Sequence, residues 1–514
     1  MEILINGNLK EEISEYYIQT FSLLFFPDDN TFGKKVKKDK NAESNNFIKI
    51  FINKDNKDNK NDKNINNRND IEISVNICYN GKESFKRCNF QKDLSLAAGK
   101  MFYEAASEIT GIYPPWGIHT GIRPAKTAGN IFENCELHKS CGFDENKAVD
   151  ILCGDYLMHK NKAALAVETY KNGNRAIQSA DVCAGDFSLY ISIPFCPTRC
   201  RYCSFVSYST PRLLKLTPEY VKKLVEEIET TSEIIQHMRH MRQYRLKTIY
   251  IGGGTPTVLN CESLEIILNA VKNNFDLADL TEYTVECGRA DTITKEKLGL
   301  MKSFNVDRIS VNPQTLNDDI LRKIGRNHTS EDFFKAFESA RSAGINNINT
   351  DCIIGLYGET GKSMIDTISA LVNLRPENIT IHAFCIKRSA ELKYDKSEIV
   401  YTPDSPELNN VSETGYNILK SMGYKPYYIY RQKYAAGNLE NTGFCLDNKE
   451  CLYNIYMMNE IHTIFGVGAG AMTKLVKNGR IERIANYKYP YEYIEHEFQI
   501  NRENNKSKLK LLEE

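Results

Sequence analysis

The residues best suited to chemistry are three cysteines in the segment YISIPFCPTRCRYCSF, Tyr190–Phe205. Cys196, Cys200 and Cys203 follow the spacing C-x3-C-x2-C, and no fourth cysteine comes close behind them. Thiolates are the usual protein ligands of iron–sulfur clusters, and three of them can hold three irons of a four-iron cluster. The fourth iron would then have no protein ligand and would be open to a small molecule. We interpret this open coordination site as the functional feature of the motif.

Two other roles for these cysteines stay open. A zinc site normally combines two C-x2-C pairs or cysteine and histidine pairs, whereas here there is one C-x2-C. The nearest downstream histidine, His237, lies in a predicted helix. Buried structural thiols are the second alternative. The polar residues between the cysteines, among them Thr198 and Arg201, suit a loop better than a core, so we favour the cluster.

Six apolar, β-branched runs alternate with amphipathic stretches and predict strands between helices. The runs are Leu189–Ile193, Lys247–Gly253, Glu282–Cys287, Asp307–Asn312, Asn347–Leu356 and Asn378–Phe384. Six βα units indicate an α/β fold with a parallel sheet and helices outside it. A full barrel needs eight units, so we expect a partial (β/α)6 TIM-like barrel; a doubly wound sheet is the alternative.

Polar or glycine-rich residues follow each predicted strand. The cysteines come after the first strand, GGGTPT comes after the second, and Glu286 ends the third. Gln314 follows the fourth strand, Asp351 lies in the fifth, and the segment 382–388 follows the sixth. Because the carboxyl ends of parallel strands meet at one edge, we expect these groups to form one site.

The remaining sequence predicts three further regions. Residues 1–93 hold short strand-like runs and indicate an α+β extension. Within them, residues 54–70 have almost no apolar side chains and are expected to form a mobile insertion. Residues 94–180 are predicted to be a mainly helical connection, residues 185–395 the barrel, and residues 396–514 a small C-terminal α+β domain.

Composition limits the classes of function. The 514 residues contain 66 Lys+Arg and 66 Asp+Glu, so the formal net charge is zero and we expect no DNA partner. No apolar run is long enough to span a membrane, and the N-terminus lacks the pattern of a signal peptide. We therefore expect a cytoplasmic protein whose fifteen cysteines are mostly reduced.

Together these motifs resemble the radical S-adenosylmethionine (SAM) superfamily. The cysteine motif with Tyr202 before its last cysteine and the segment GGGTPT are similar to that family's cluster and SAM motifs. The segments TVECGRAD, SVNPQTLNDDILRKIGRNHT and NTDCIIGLYGET resemble its oxygen-independent coproporphyrinogen III oxidase branch. GIRPAK and YYIYRQKYAAGNLENTGFC resemble the coproporphyrinogen dehydrogenases of the HemZ type.

The resemblance implies a [4Fe–4S] cluster on Cys196, Cys200 and Cys203, with SAM on the open iron. One electron through the cluster would split SAM into a radical that takes hydrogen from the substrate. The implied SAM contacts are Tyr190, Tyr202, Gly253, Gly254, Thr255, Glu286, Gln314, Arg326, Asp351, Cys385 and Met472. For Glu286 and Asp351 two structural alternatives stay open: each is a buried carboxylate with its hydrogen bonds satisfied, or it pairs with Arg326.

The implied reaction is oxidative decarboxylation of two propionates of coproporphyrinogen III, which gives protoporphyrinogen IX in haem biosynthesis. A substrate with four carboxylates needs cations, and Arg388 is the first candidate to bind one, with Arg431, Lys433 and Arg123 behind it. For each of these residues an ordinary surface or structural ion pair is an equal alternative. His382 is as readily a packing residue as a catalytic one. An electron donor such as a flavodoxin or ferredoxin is also implied.

Two departures from the family pattern keep other functions open. Phe205 stands where the best-known oxidases have a fourth cysteine, and the charged helical C-terminal domain of those enzymes is not expected after YKYPYEYIEHEF. One alternative is a haem-binding chaperone that retains the cluster and SAM sites. The other is a radical SAM enzyme with a different substrate, such as RNA.

Overall fold

The computed structural model describes residues 1–7, 13–26, 46–54, 71–90, 93–137, 145–183, 185–203, 208–239, 244–385, 405–477 and 480–495. The chain forms two compact units. Unit 1 comprises Met1–Val167, Tyr401–Pro406 and Arg431–Leu439, and unit 2 comprises Glu168–Val400, Glu407–Tyr430 and Glu440–Glu514. The four regions expected from the sequence stay a prediction, and residues 55–70 of the expected insertion lie outside the described residues.

Unit 1 is an α+β unit around a four-stranded sheet in the order β1-β2-β3-β4. Strands β1 and β2 are parallel and the other neighbours are antiparallel. Its elements are β1 (Glu2–Gly7), α1 (Glu15–Phe25), β2 (Phe47–Lys54), β3 (Ile71–Tyr79), β4 (Lys82–Phe90), α2 (Leu94–Thr110), α3 (Pro124–Leu137) and α4 (Glu145–Tyr156).

The core of unit 1 follows from the two-residue repeat of its strands, because side chains alternate between the two faces of a sheet. Ile48 and Ile50 of β2 and Val75 of β3 are buried on one face, where they join a cluster with Phe21 of α1 and Phe102 of α2. The two helices therefore cover the apolar face of this sheet.

Unit 2 contains an eleven-stranded sheet in the order β11-β12-β10-β9-β8-β7-β6-β5-β13-β14-β15. The strands are β5 (Asp186–Ile193), β6 (Arg245–Gly253), β7 (Glu282–Glu286), β8 (Arg308–Ser310), β9 (Asn347–Ile354), β10 (Asn378–Ala383), β11 (Lys425–Arg431), β12 (Glu440–Cys445), β13 (Thr463–Val467), β14 (Met472–Lys477) and β15 (Arg480–Ala485). The remaining helices are α5 (Lys160–Ser179), α6 (Pro211–Leu214), α7 (Thr217–Arg239), α8 (Cys261–Asn274), α9 (Lys295–Ser303), α10 (Asp318–Lys323), α11 (Ser330–Ser342), α12 (Gly361–Asn373), α13 (Pro406–Ser421), α14 (Leu452–Asn459) and α15 (Pro490–Glu495). None of the helices in the described ranges has the length and apolar character needed to cross a membrane.

Strands β5 to β10 are the six predicted strands, paired in parallel in chain order. The predicted partial barrel is therefore confirmed. A seventh parallel strand, β13, lies beside β5, with Thr463 opposite Phe187 and Val467 opposite Ile191. Residues expected to form a small C-terminal domain thus extend the barrel sheet at both of its edges.

The sheet of unit 2 separates apolar from polar side chains. In β5, Leu189, Ile191 and Ile193 are fully buried on one face. Tyr190 and Ser192 lie on the opposite face, because alternate side chains of a strand point in opposite directions. The polar side chains of neighbouring strands share that face and lead to the carboxyl edge, where the predicted site residues lie.

A buried carboxylate connects the C-terminal segment to the barrel. Glu227 of α7 is only 4% exposed. It accepts hydrogen bonds from the backbone N–H of Gly468 (2.7 Å), the Nδ2 of Asn486 (2.8 Å) and the hydroxyl of Tyr493 (2.7 Å). These three donors belong to the loop after β13, the residue after β15 and helix α15, so one side chain holds three C-terminal elements.

We expect Glu227→Ala to lower the free energy of unfolding by about 3 kcal/mol, because the buried donors would lose their acceptor. Denaturant unfolding followed by circular dichroism measures the change. Glu229→Ala, at an exposed position of the same helix, is the matched control and should stay within about 0.5 kcal/mol of the wild type. Equal effects of the two substitutions would contradict the role of Glu227.

Candidate functional site

The three cysteines lie in the loop that follows β5, and the glycine-rich end of β6 supports the start of this loop. The backbone N–H of Gly254 donates to the carbonyl of Ile193 (2.7 Å), and that of Thr255 donates to the carbonyl of Phe195 (2.7 Å). The Thr255 hydroxyl is 3.4 Å from the Cys196 thiol. The cysteine motif and the GGGTPT motif are therefore parts of one structure.

The glycines of this motif are required by close approaches. A Cβ atom on Gly254 would lie 2.5 Å from the carbonyl oxygen of Phe195, and one on Gly252 would lie 2.8 Å from the Cδ of Glu286. Both distances are too short for a side chain. Glycine thus allows the cysteine loop and the Glu286 carboxyl group to pack against the backbone of β6.

The middle of the cysteine loop is held by the segment after α10. The backbone N–H of Arg201 donates to the carbonyl of Ile324 (3.0 Å), and the Thr198 hydroxyl donates to the carbonyl of Gly325 (3.1 Å). These two bonds flank Cys200. Its position is therefore determined by residues about 125 positions later in the chain, which spacing alone does not reveal.

A buried guanidinium group lies beside this part of the loop. Arg326 is 6% exposed and donates from Nη1 to the carbonyls of Gly288 (3.1 Å) and Asn312 (2.6 Å). It also hydrogen-bonds Tyr202 and Cys200. Among the described residues, no carboxylate lies within 4.0 Å of Arg326, and its Nε has no hydrogen-bond partner. This buried cation is suited to a bound anion.

The carboxyl group of Glu286 lies at the end of β7, in a polar pocket beside β6. It accepts a hydrogen bond of 2.6 Å from the hydroxyl of Tyr250 and one of 3.2 Å from the backbone N–H of Gly253. Burial raises the pKa of Glu286 to about 7, and the negative charge of Asp351 acts in the same direction. The two hydrogen bonds oppose this rise.

Asp351 in β9 is the centre of a second polar group. The Nδ2 of Asn312 donates to one carboxylate oxygen (2.8 Å) and the Nδ2 of Asn349 to the other (2.7 Å). His382 Nε2 is 3.6 Å away. Burial by itself would raise the pKa of Asp351, but the bonds from His382, Asn349 and Thr380 outweigh it and hold the pKa below its ordinary value.

Glu286 and Asp351 are therefore chemically different carboxyl groups at the same sheet edge. Glu286 is half-protonated near neutral pH, whereas Asp351 stays ionised. In the described part of the chain neither pairs with Arg326. The alternative of a structural ion pair with Arg326, left open by the sequence, is wrong for both residues.

Gln314 carries two signs of a constrained position. Its backbone has a φ of 68°, in the left-handed region that residues other than glycine seldom adopt. Hydrogen bonds with the backbone of β9, from Gln314 N–H to the Asp351 carbonyl and from Ile353 N–H to the Gln314 carbonyl, hold it there. Its buried Oε1 has no hydrogen-bond partner among the residues that the structure describes. An unpaired buried amide is costly, so a ligand atom is a reasonable partner for it.

Aromatic rings fill the polar face below these groups. Tyr190 of β5 and Tyr250 of β6 stack with centroids 6.2 Å apart, and Tyr453 of α14 stacks on Tyr250 at 4.5 Å. Tyr190 is half-buried and so offers part of its ring to the site edge. Helix α14 thus supplies a side chain to the barrel face, which the sequence did not predict.

The other predicted site residues are more dispersed. Cys385 is half-buried directly after β10, and Met472, at the start of β14, is 47% exposed. Arg388 lies outside the described residues.

The other predicted cations lie in unit 1. Arg431 is buried and donates to the carbonyl of His119 and to Asn438 Oδ1 (2.7 Å). Its guanidinium group lies over the Trp116 ring. Lys433 donates to Thr20 (3.1 Å), and Arg123 lies in the same unit.

The residues present fit an iron–sulfur cluster better than a single metal ion. Within the described ranges, no three His, Cys, Asp or Glu side chains converge as one ion would require. A four-iron cluster does not need such convergence, because each thiolate binds a different iron. Three half-buried thiols on one loop, beside a buried cation without a carboxylate, suit a cofactor of net negative charge.

The sequence comparisons agree with this chemistry. The family described as Radical SAM superfamily matches residues 190–371. The protein named oxygen-independent coproporphyrinogen-III oxidase-like protein HemZ of Bacillus subtilis (strain 168) is 37% identical over 391 residues, which cover 75% of each chain. The chain belongs to the radical SAM superfamily and, within it, to the family of this HemZ protein. The cofactors of this family are a [4Fe–4S] cluster and SAM.

Other relatives are named as heme chaperones and not as oxidase-like proteins. The heme chaperone HemW of Bacillus subtilis (strain 168) is 31% identical over 318 residues, covering 59% of this chain and 77% of its own. Among solved structures, the coproporphyrinogen III oxidase HemN of Escherichia coli matches with a TM-score of 0.49 and 20% identity, over 64% of this chain and 72% of that chain.

Several residues of this radical SAM site were not predicted from the sequence. Asn312 and Asn349 bind Asp351, Tyr250 binds Glu286, and the buried Arg289 donates from Nη1 toward the Cys200 thiol (3.8 Å). Closeness in sequence to predicted site residues was a weak indication for two of them. Asn312 precedes Gln314 by two residues, and Arg289 follows Glu286 by three. Which of them face the site depends on the fold.

We expect Glu286 to make the stability of the cofactor-free protein depend on pH. Its pKa rises from 4.5 to about 7 on folding, so its contribution is fully present below pH 4.5 and is lost as the pH rises through 7. Urea unfolding between pH 5 and 8 measures this loss. Glu286→Gln should remove this contribution to the pH dependence, and Tyr250→Phe should move the contribution to higher pH, because the hydroxyl bond favours the ionised form. An unchanged profile in Glu286→Gln would contradict the assignment.

Proposed function

We propose that the chain is a radical SAM oxidoreductase that decarboxylates two propionates of coproporphyrinogen III and yields protoporphyrinogen IX. One observation carries the proposal: the cysteine loop, the GGGT segment, Glu286 and Asp351 lie along a single sheet edge with a buried cation, Arg326, beside the loop. The 37% identity to a protein named as coproporphyrinogen-III oxidase-like supports the substrate class.

The cluster ligands in this proposal are Cys196, Cys200 and Cys203. When bound, the cluster and SAM together supply the one-electron chemistry that ends in removal of a hydrogen atom from the substrate. Each propionate then loses carbon dioxide and one further electron, which passes to an acceptor, and a vinyl group remains. The protein's part is to orient the two cofactors and to exclude water from the strand ends.

The SAM contacts in the proposal follow from the chemistry of each group. Arg326 suits an anionic group of the cofactors, because it is a buried cation without a carboxylate partner. Asp351 is held ionised and can accept hydrogen bonds from an amino or hydroxyl group. Gln314 Oε1 is a buried acceptor without a hydrogen-bond partner in the described part of the chain. The half-buried ring of Tyr190 offers an apolar surface.

The same edge suits an acidic one-electron donor such as a flavodoxin or ferredoxin. Arg199 is exposed on the cysteine loop, and Arg322 and Lys323 are exposed at the end of α10. The bond from Arg201 N–H to the Ile324 carbonyl brings these two segments together. Asp319 offsets part of this charge through its ion pair with Arg322.

We expect reduction of the cluster by such a donor to slow as the ionic strength rises, because salt screens the attraction between unlike charges. Stopped-flow absorbance of the reconstituted protein measures the rate. Arg199→Gln together with Lys323→Gln should flatten the salt dependence. Reduction by dithionite, a small anion that needs no docking surface, is the reference reaction. Salt dependence that the double substitution leaves unchanged would contradict this surface.

The proposed function is tested by an anaerobic assay of reconstituted protein with SAM, dithionite and coproporphyrinogen III, in which deoxyadenosine and porphyrin are separated by chromatography. We expect both products from the wild type and neither from Cys200→Ala, which should also lose the cluster absorbance. Cys183→Ala, at an exposed thiol outside the loop, is the matched control and should behave as the wild type. A cluster retained in Cys200→Ala would contradict the ligand assignment.

The second candidate function is a haem chaperone. It is favoured by the relatives named heme chaperone HemW, at 31% and 27% identity, and by Phe205 in place of a fourth cysteine. Phe205 itself lies outside the described residues. Deoxyadenosine without porphyrin product in the same assay, together with stoichiometric haem binding, would decide for the chaperone.

A further inference from the structure

Arg289 is a second buried guanidinium beside the cysteine loop, and it is only 2% exposed. Its Nε and Nη2 bind the two carboxylate oxygens of Asp291, at 3.1 and 3.2 Å. The remaining nitrogen, Nη1, donates to the carbonyl of Thr198 (3.3 Å) and toward the thiol of Cys200 (3.8 Å). Such a bidentate pair fixes the guanidinium plane and therefore the direction of Nη1.

The two buried arginines differ in how their charges are balanced. Arg326 has no carboxylate within 4.0 Å among the described residues, so it is suited to an external anion. Arg289 already has a full partner in Asp291, and only one of its nitrogens is directed at the loop. Arg289 is thus not a vacant anion site, and its remaining donor has the thiol and a loop carbonyl as its acceptors.

We propose that Arg289, held in place by Asp291, is a positioning residue that hydrogen-bonds the Cys200 thiolate and sets the reduction potential of the cluster. The inference rests on the proposed function, because it takes Cys200 as a cluster ligand. No bond forms or breaks at Arg289. The couple is the one-electron reduction of the cluster by an external donor.

The physical reason is that reduction adds negative charge to the cluster. Hydrogen bonds to its sulfur atoms and nearby net charge are known determinants of the potential. A donor and a cation stabilise the more negative, reduced form and so raise the potential. Because Arg289 is buried, water screens this interaction little.

The other titratable group in contact with this pair does not change its charge near neutral pH. The His328 side chain is fully buried, with Nδ1 4.0 Å from the Oδ1 of Asp291. Burial and the charges of Arg326 and Arg289 lower the pKa of His328 to about 4, so it is neutral at pH 7. The charges nearest Cys200 are therefore two guanidinium groups and one carboxylate.

The test is the midpoint potential of the cluster, measured by redox titration with electron paramagnetic resonance on reconstituted full-length protein. Arg289→Gln removes the cation and leaves Asp291, so the potential should become more negative. Asp291→Asn leaves the cation unbalanced, so the potential should become more positive. We expect each substitution to change the ratio of reduced to oxidised cluster about tenfold at a fixed potential, which is about 59 mV for one electron.

Arg201→Gln is the matched control, since Arg201 follows Cys200 directly but its Nη1 donates to the carbonyl of Lys323. It should shift the potential less than either variant. If Arg289→Gln fails to take up a cluster, the direction of the shift in midpoint potential is measured on Arg289→Lys and Asp291→Asn, because both variants keep the positive charge.

Shifts in the same direction, or none, in the two variants would overturn the inference while leaving the proposed function intact. A wild type that takes up no four-iron cluster would overturn both. A merely structural role for the ion pair would lower iron content in both variants without opposite shifts, and that outcome also overturns the inference.

Discussion

The site depends on a short set of hydrogen bonds between the ends of two neighbouring strands. Gly254 and Thr255 at the end of β6 donate backbone N–H groups to Ile193 and Phe195 at the end of β5. These bonds determine where the cysteine loop leaves the sheet. Because the Cβ of any other residue at position 254 would meet the Phe195 carbonyl, the loop and the glycine motif constrain each other. The radical SAM site is thus built on backbone contacts before any side chain is considered.

Buried charges around this frame are balanced in different ways. Glu227 is surrounded by hydrogen-bond donors from the C-terminal elements and holds them in place. Arg289 has a bidentate carboxylate partner. Arg326 has carbonyls, a phenol and a thiol, but no carboxylate among the described residues. A buried charge without an opposite charge is expensive, so a bound anion would stabilise Arg326.

The C-terminal segment is part of the same structural unit as the barrel strands. Strand β13 pairs with β5, the carbonyl of Ala469 accepts a hydrogen bond from Ser192 at the end of β5, and Tyr453 of α14 stacks on Tyr250. Tyr250 in turn donates to Glu286. In this chain the first barrel strand is therefore surrounded by segments that are far apart in the sequence. A change in the C-terminal segment can act on the site through these contacts.

The sequence by itself determined the elements that have a local cause. Alternating apolar residues identified six parallel strands, and the cysteine spacing and glycine runs indicated the edge at which the cysteine loop, Glu286, Gln314 and Asp351 lie. The tertiary structure decided the rest. It revealed β13 as a seventh parallel strand. It also revealed that the pKa of Glu286 is raised while that of Asp351 is lowered, and that Arg289, which is distant in the sequence, donates toward the Cys200 thiol. The reason is physical: strand pairing, desolvation and hydrogen bonding depend on distances in space, and these join residues separated by up to hundreds of positions that no local pattern connects.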